Sequence, residues 1–126
     1  MLLEPHLYLD TVKDISIEIL ERNNIKGIIL DIDNTLIDFN KNILPGSKEW
    51  VQEMKKNNIK LCIVSNTNKV EKVKKVAETL EIKDYFYFAK KPLKGGFYKA
   101  QKLMKVPREN IAVARRSIIY RRFRSK

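Results

Sequence analysis

"IKGIILDIDNTLID", Ile25 to Asp38, is the stretch that decides the fold. Its first eight residues, Ile25 to Ile32, are rich in isoleucine and long enough for a strand buried on both faces, the kind found in parallel sheets. The strand ends in Asp31 and Asp33, two residues apart. Like charges so placed repel one another, and the arrangement costs stability unless something positive sits between them.

Working outward, the rest of the chain alternates between helix and strand. "SKEWVQEMKKN" follows Pro45-Gly46 and predicts a helix capped by Ser47, with Trp50, Val51 and Met54 on one face. "IKLCIVSN", Ile59 to Asn66, reads as a second buried strand. "NKVEKVKKVAETL" predicts a helix behind Asn68, with Val70, Val73, Ala77 and Leu80 inward. "DYFYFA", Asp84 to Ala89, is a third strand, followed by "KKP". "GGFYKAQKLMKV" is a helix with Phe97, Ala100, Leu103 and Met104 inward, and "NIAVA", Asn110 to Ala114, is a fourth strand. Residues 10–23 form a short upstream helix. The expected fold is α/β, a three-layer sandwich with a parallel sheet covered by helices.

In open parallel sheets, ligands bind at the carboxyl ends of the strands. The residues at those positions are Asp31–Thr35, Ser65–Thr67, Lys90–Lys91 and whatever follows Ala114. Brought together, they offer two carboxylates, a hydroxyl and an amine. This set suits phosphoryl transfer, in which a carboxylate attacks phosphorus, a second acid moves the proton, and cationic groups neutralise charge. Taken singly, each residue has a plainer reading. A D-x-D turn caps a loop, Ser65 ends a strand, and Lys91 is a solvated charge.

Composition sets the outer bounds. The chain has 126 residues, 44% apolar, enough for one folded domain. Its single cysteine, Cys62, lies within an apolar run and reads as an inert core thiol. A lone cysteine fits a reducing compartment, and no apolar run approaches the roughly 20 residues of a membrane span. The expectation is a soluble cytoplasmic protein. Trp50 reads as core, His6 has no evident partner, Asn34 and Asn66 flank the candidate site, and Asp38 is a turn residue.

The ordered motifs "DIDNT", "SNT" and "KKP" resemble those of the haloacid dehalogenase (HAD) superfamily. The fuller "GIILDIDNTLI", together with the leader "LEPHLYLDTVKDISIEILERNNIKG", is similar to the YqeG-type subfamily IIIA phosphatases. The resemblance covers about Pro5 to Ala114. It implies a Mg²⁺-dependent phosphatase acting through an aspartyl phosphate. Asp31 would be nucleophile and metal ligand. Asp33 would be general acid/base, with its carbonyl also on the metal, and Thr35 would hold the loop. Ser65 would bond a phosphoryl oxygen, and Lys91, or less readily Lys90, would steady nucleophile and phosphate. The intervals Leu36–Lys60 and Thr67–Lys90 are too short for a cap domain. That implies an open site suited to a large or membrane-presented phosphate ester, with phosphatidylglycerophosphate a candidate by resemblance and peripheral membrane association to match.

The chain departs from this pattern after Ala114. The family expects Gly-Asp-Gln and then Thr-Asp, the first of which brings the acid that completes the metal site. Here the last twelve residues, "RRSIIYRRFRSK", hold six basic side chains and no acid. Without those six, 20 basic residues face 15 acidic ones, so the tail carries about half of the net charge of +11. Codons such as AGG AGA TCA ATT ATT TAC AGA CGT, read one base later, give Gly-Asp-Gln-Leu-Phe-Thr-Asp. The reading is therefore an incomplete HAD domain over residues 1–114 and a frameshifted or disordered basic tail over 115–126. It predicts an uncovered fourth strand, weak Mg²⁺ binding and weak activity. Two other classes compete: a catalytically dead HAD fold serving as an interaction module, and a protein that binds nucleic acid through the tail, although no specific nucleic-acid partner is expected.

Overall fold

The computed structural model describes residues 2–8, 12–32, 36–37, 42–65, 69–87, 93–115 and 118–123. Six strands run in chain order as β1 (Leu2–Tyr8), β2 (Gly27–Leu30), β3 (Lys60–Ser65), β4 (Tyr85–Tyr87), β5 (Ile111–Arg115) and β6 (Ile118–Phe123). Four α-helices accompany them: α1 (Ile17–Arg22), α2 (Ser47–Lys56), α3 (Val70–Leu80) and α4 (Leu93–Met104). The strands form one sheet in the order β1-β6-β5-β2-β3-β4. β5, β2, β3 and β4 are parallel, whereas β6 pairs antiparallel with β5 and with β1.

Strand alternation explains the layers. Ile28, Leu30, Leu61, Ile63, Ala112 and Ala114 point to one face. There they join Leu20 of α1, Trp50, Val51 and Met54 of α2, and Val73, Val76, Ala77 and Leu80 of α3. Ile29, Cys62, Val64, Ile111 and Val113 point to the other face and meet Ala100 and Met104 of α4. Helices on both sides of a parallel core give the three-layer α/β sandwich expected from the sequence. Between β2 and β3 the described residues hold only an antiparallel bridge, Ile37 to Ile43, and α2. Among the described residues no cap domain is inserted there.

Several expectations need correction. The sheet does not stop at its fourth core strand. Six residues of the basic tail form β6, which fills the gap between β5 and β1, so the tail is ordered over Ile118–Phe123 and the far edge of β5 is paired. The upstream helix is two pieces, a 3-10 turn at Val12–Asp14 and α1, whose cap Ser16 accepts a bond from the Ile19 N–H at 3.1 Å. Gly46, at φ +85°, occupies the cap position of α2, and Ser47 is the first helical residue, fully buried. Such a backbone angle favours glycine, which displaces the cap by one residue. Lys69 takes the cap position of α3, while Asn68 lies outside the described residues. Val76 rather than Val70 completes the buried stripe of α3. Leu103 is 47% exposed and not inward, because Ala100 and Met104 already span the contact with the sheet. Phe97 belongs to α4, but the placement of its side chain lies outside the description.

The N-terminal segment is tied to the core by Trp50, whose indole Nε1–H donates to the Ile15 carbonyl at 2.9 Å. Val12, Ile15 and Leu20 are buried beside it.

Candidate active site

Within the parallel strands, chain order and sheet order part between β4 and β5. From β2 the chain moves outward through β3 to β4 and then returns to the opposite side of β2 as β5. The carboxyl end between β2 and β5 is thus a switch point, the place where two loops diverge and leave a crevice. Asp31 stands there. Its N–H donates to the Ala114 carbonyl at 3.1 Å, which ties the residue after β2 to the end of β5. One of its carboxylate oxygens, Oδ1, accepts a bond from the Ile32 N–H at 2.9 Å, and the residue is half-buried. An Asp that bonds the next amide has its side-chain torsion restrained, a useful property in a nucleophile.

Immediately downstream the chain turns back on itself. The Leu36 and Ile37 N–H groups both donate to the Ile32 carbonyl, at 2.9 and 3.2 Å, and the Leu44 N–H donates to Leu36 at 3.0 Å. The loop after Asp31 is therefore anchored by buried Ile32, Leu36 and Ile37. Ser65 ends β3, the neighbour of β2, and is buried at 4% exposure. The parallel register sets Leu30 beside Ile63, so Asp31 and Ser65 leave adjacent strands at the same edge. Asp33, Thr35, Lys90 and Lys91 lie outside the described residues.

The donor set for a divalent cation is partial. The carboxylate of Asp31 is a hard oxygen ligand suited to Mg²⁺. The described residues contain no cluster of three metal-ligating acids, histidines or cysteines. β5 ends at Arg115, and the next residue in the sequence is Arg116, not an acid. Cys62 takes no part. Burial, with a lesser contribution from Asp84, pushes its thiol up to about 12, so it is neither a ready ligand nor a nucleophile.

One feature of this edge escaped the sequence reading. Lys69, Lys72 and Lys75 recur every third residue and line a groove beside the loop that follows Asp31. The spacing was a usable signal, but lysines on an amphipathic helix are ordinarily read as its solvated face.

The architecture is that of the HAD hydrolases. It matches a cobalt-bound deoxy-D-mannose-octulosonate 8-phosphate phosphatase of Haemophilus influenzae with a TM-score of 0.61 at 20% identity, over 72% of this chain and 58% of that one. A Streptomyces avermitilis structure assigned to the HAD hydrolase family aligns with a TM-score of 0.58 at 16% identity, over 71% of this chain and 56% of that one. Identities this low speak for the fold alone. Sequence is more specific: residues 1–117 match the family described as mitochondrial PGP phosphatase, and the chain belongs to that family. It is also 38% identical over 110 residues to the "Probable phosphatase YqeG" of Bacillus subtilis, across 86% of this chain and 63% of that protein. The chain thus spans less than two thirds of the length of these relatives.

Proposed function

We propose that the protein is a phosphatase that hydrolyses a phosphate monoester through an aspartyl-phosphate intermediate. The observation that carries this reading is the position of Asp31 at the switch point of the sheet, where its N–H donates to the Ala114 carbonyl and its carboxylate accepts from the Ile32 N–H. A carboxylate oxygen of Asp31 attacks phosphorus and the ester P–O bond breaks. Asp33 gives its proton to the departing alkoxide. Asp33 then takes a proton from water, which attacks the same phosphorus, releasing inorganic phosphate and restoring Asp31. Ser65 donates to a phosphoryl oxygen, Lys91 offsets charge on nucleophile and phosphate, and Thr35 steadies the loop. Asp31 and Asp33 would hold Mg²⁺, which supplies charge neutralisation to the phosphoryl oxygens.

The substrate proposed is phosphatidylglycerophosphate. Membership of the family supports it, as does the shortness of the interval between β2 and β3, where the described residues hold no inserted cap. No helix among the described residues is long and apolar enough to cross a membrane, so such a lipid would be met from the membrane surface. The tail after Ala114 is proposed to be an out-of-frame reading of the family's Gly-Asp-Gln segment. The family match ends at residue 117, close to where the composition changes. It follows that the chain as written binds Mg²⁺ weakly and turns over slowly. Asp31→Asn tests the nucleophile: phosphate release should drop by at least about a hundredfold, as expected for a group on which the covalent step depends. Retained turnover would dismiss the mechanism.

A further inference from the structure

The two ends of the parallel strands carry different chemistry. The candidate site occupies the carboxyl ends. At the amino ends, Lys26 precedes β2, Lys60 opens β3 and Lys83 lies two residues before β4. Lys105, directly after α4, joins them around a cavity of about 390 Å³ that Leu103 and Met104 also line. A second cavity of about 260 Å³, with Ile59 and Ile82 in its wall, shares Lys60 and Lys83 with the first, so the two make one groove across the rim of the sheet. All four lysines are exposed, and none of them forms an ion pair among the described residues. Helix ends account for only part of this charge. Lys105 follows α4, where a cation offsets the negative end of the helix dipole. Lys26, Lys60 and Lys83 belong to strand entries instead. Of the acids in the groove, Glu81 is engaged by Lys48 at 3.6 Å and by Gln52 at 3.3 Å, which leaves half-buried Asp84 against the four cations. Leu103, 47% exposed, stands among the lysines.

We propose that this rim is a docking surface for a partner protein, which presents an extended acidic segment with apolar side chains between its carboxylates. Four lysines of one sign around a single groove concentrate positive potential and complement the carboxylates. Exposed Leu103, with Ile59 and Ile82 in the groove wall, complements the apolar side chains. A polyphosphate or a nucleic-acid backbone would leave that apolar surface uncovered and would meet the charge of Asp84, which an extended peptide can span with an uncharged residue. Among the described residues neither cavity is lined by an aromatic side chain, so bases would find no stacking surface. Lys60 and Ser65 are opposite ends of β3, roughly 17 Å apart at about 3.3 Å per residue. A segment on the rim therefore leaves the carboxyl edge free, and the inference does not depend on the phosphatase reading.

The test uses the full chain and three fluorescein-labelled probes of equal charge, followed by fluorescence anisotropy: a peptide alternating glutamate with leucine, a peptide alternating glutamate with serine, and a single-stranded oligothymidylate. Lys60→Glu with Lys83→Glu reverses the rim. Lys74→Glu with Lys75→Glu, at exposed positions of α3, makes the same change of net charge elsewhere. Thermal melts establish that each variant folds, and Lys60→Gln with Lys83→Gln takes the place of the rim reversal if that one does not. At up to about fivefold per exposed ion pair, the rim reversal should weaken the glutamate–leucine peptide by at least about tenfold, against less than about threefold for the α3 pair. Leu103→Gln should weaken the glutamate–leucine peptide several-fold and leave the glutamate–serine peptide unchanged. Equal losses in the two lysine pairs would reduce the effect to net charge and overturn the proposal. So would failure of the unmodified chain to bind the glutamate–leucine peptide, or equal effects of Leu103→Gln on the two peptides. An oligothymidylate bound more tightly than either peptide, and weakened as much by the rim reversal, would also overturn it and would assign the rim to nucleic acid.

Discussion

Replacing Trp50 with phenylalanine removes one hydrogen bond and part of one ring from the junction between α2 and the N-terminal segment. The indole is 4% exposed, and its N–H donates to the Ile15 carbonyl, 35 residues away, at 2.9 Å. Phenylalanine leaves that buried carbonyl without its donor, a loss of about 1–3 kcal/mol. The missing part of the ring leaves a cavity of roughly 40 Å³, which at about 24 cal/mol per Å³ adds about 1 kcal/mol. The expected destabilisation is therefore about 2–4 kcal/mol. Urea unfolding followed by far-UV circular dichroism measures it without relying on the lost fluorophore. With a slope of about 1.5 kcal/mol per molar, the midpoint should fall by about 1.3–2.7 M with the slope unchanged. Tyr98→Phe, at a position 57% exposed, is the control and should shift the midpoint little. A loss below about 0.5 kcal/mol for Trp50→Phe would refute the view that this bond fixes the N-terminal segment to the core.

Four further expectations follow from the same geometry. Ser47→Ala should raise stability by about 1 kcal/mol in the same urea assay, since the Ser47 hydroxyl is buried with no hydrogen-bond partner among the described residues and alanine suits a helix better. Gly46→Ala should lower the melting temperature by an amount equivalent to about 1–2 kcal/mol, because φ is +85° there and an added Cβ would lie 2.7 Å from Lys13 Cδ. The Cys62 thiol keeps its proton in the folded chain to about pH 12 but loses it near 9.0 when unfolded, so its contribution to stability is intact below pH 9 and declines as pH rises toward 12. The decline is at most about 1.4 kcal/mol per pH unit, and Cys62→Ala should lack this component when denaturation midpoints are compared from pH 8 to 11. If the segment after β5 stands in for the acid the resemblance implies, Arg116→Asp should tighten Mg²⁺ binding by about tenfold or more in isothermal titration; unchanged affinity would contradict a ligand at that position.

The parallel core was legible because its signals are local. Ile28 to Leu30 and Leu61 to Val64 are continuous apolar runs, and the stripes of Trp50, Val51, Met54 and of Val73, Ala77, Leu80 repeat at helical spacing. The antiparallel edge was not. β1 contains Pro5, a residue tolerated in an edge strand but a poor advertisement for one, and its register shifts between Pro5 and Leu7. Its partner β6 lies more than a hundred residues away in a segment dominated by arginine, where charge hides strand pattern. Asp31 and Ser65 could be located because a polar residue directly after a buried run marks a strand end. Leu103 was misplaced because helical spacing alone does not reveal how wide the contact with the sheet will be. The cap of α2 was off by one residue, because the positive φ of Gly46 depends on how the loop enters the helix.

The account stands on Asp31 as the group that receives the phosphoryl transfer. The direct measurement is to mix the chain with a ³²P-labelled phosphate monoester and excess Mg²⁺, quench in acid within one turnover, and map any label by peptide mass spectrometry. The account predicts an acid-stable, base-labile phosphate on Asp31 that is absent from Asp31→Asn. Labelled inorganic phosphate released with no labelled protein at any time, or label on another residue, would contradict it.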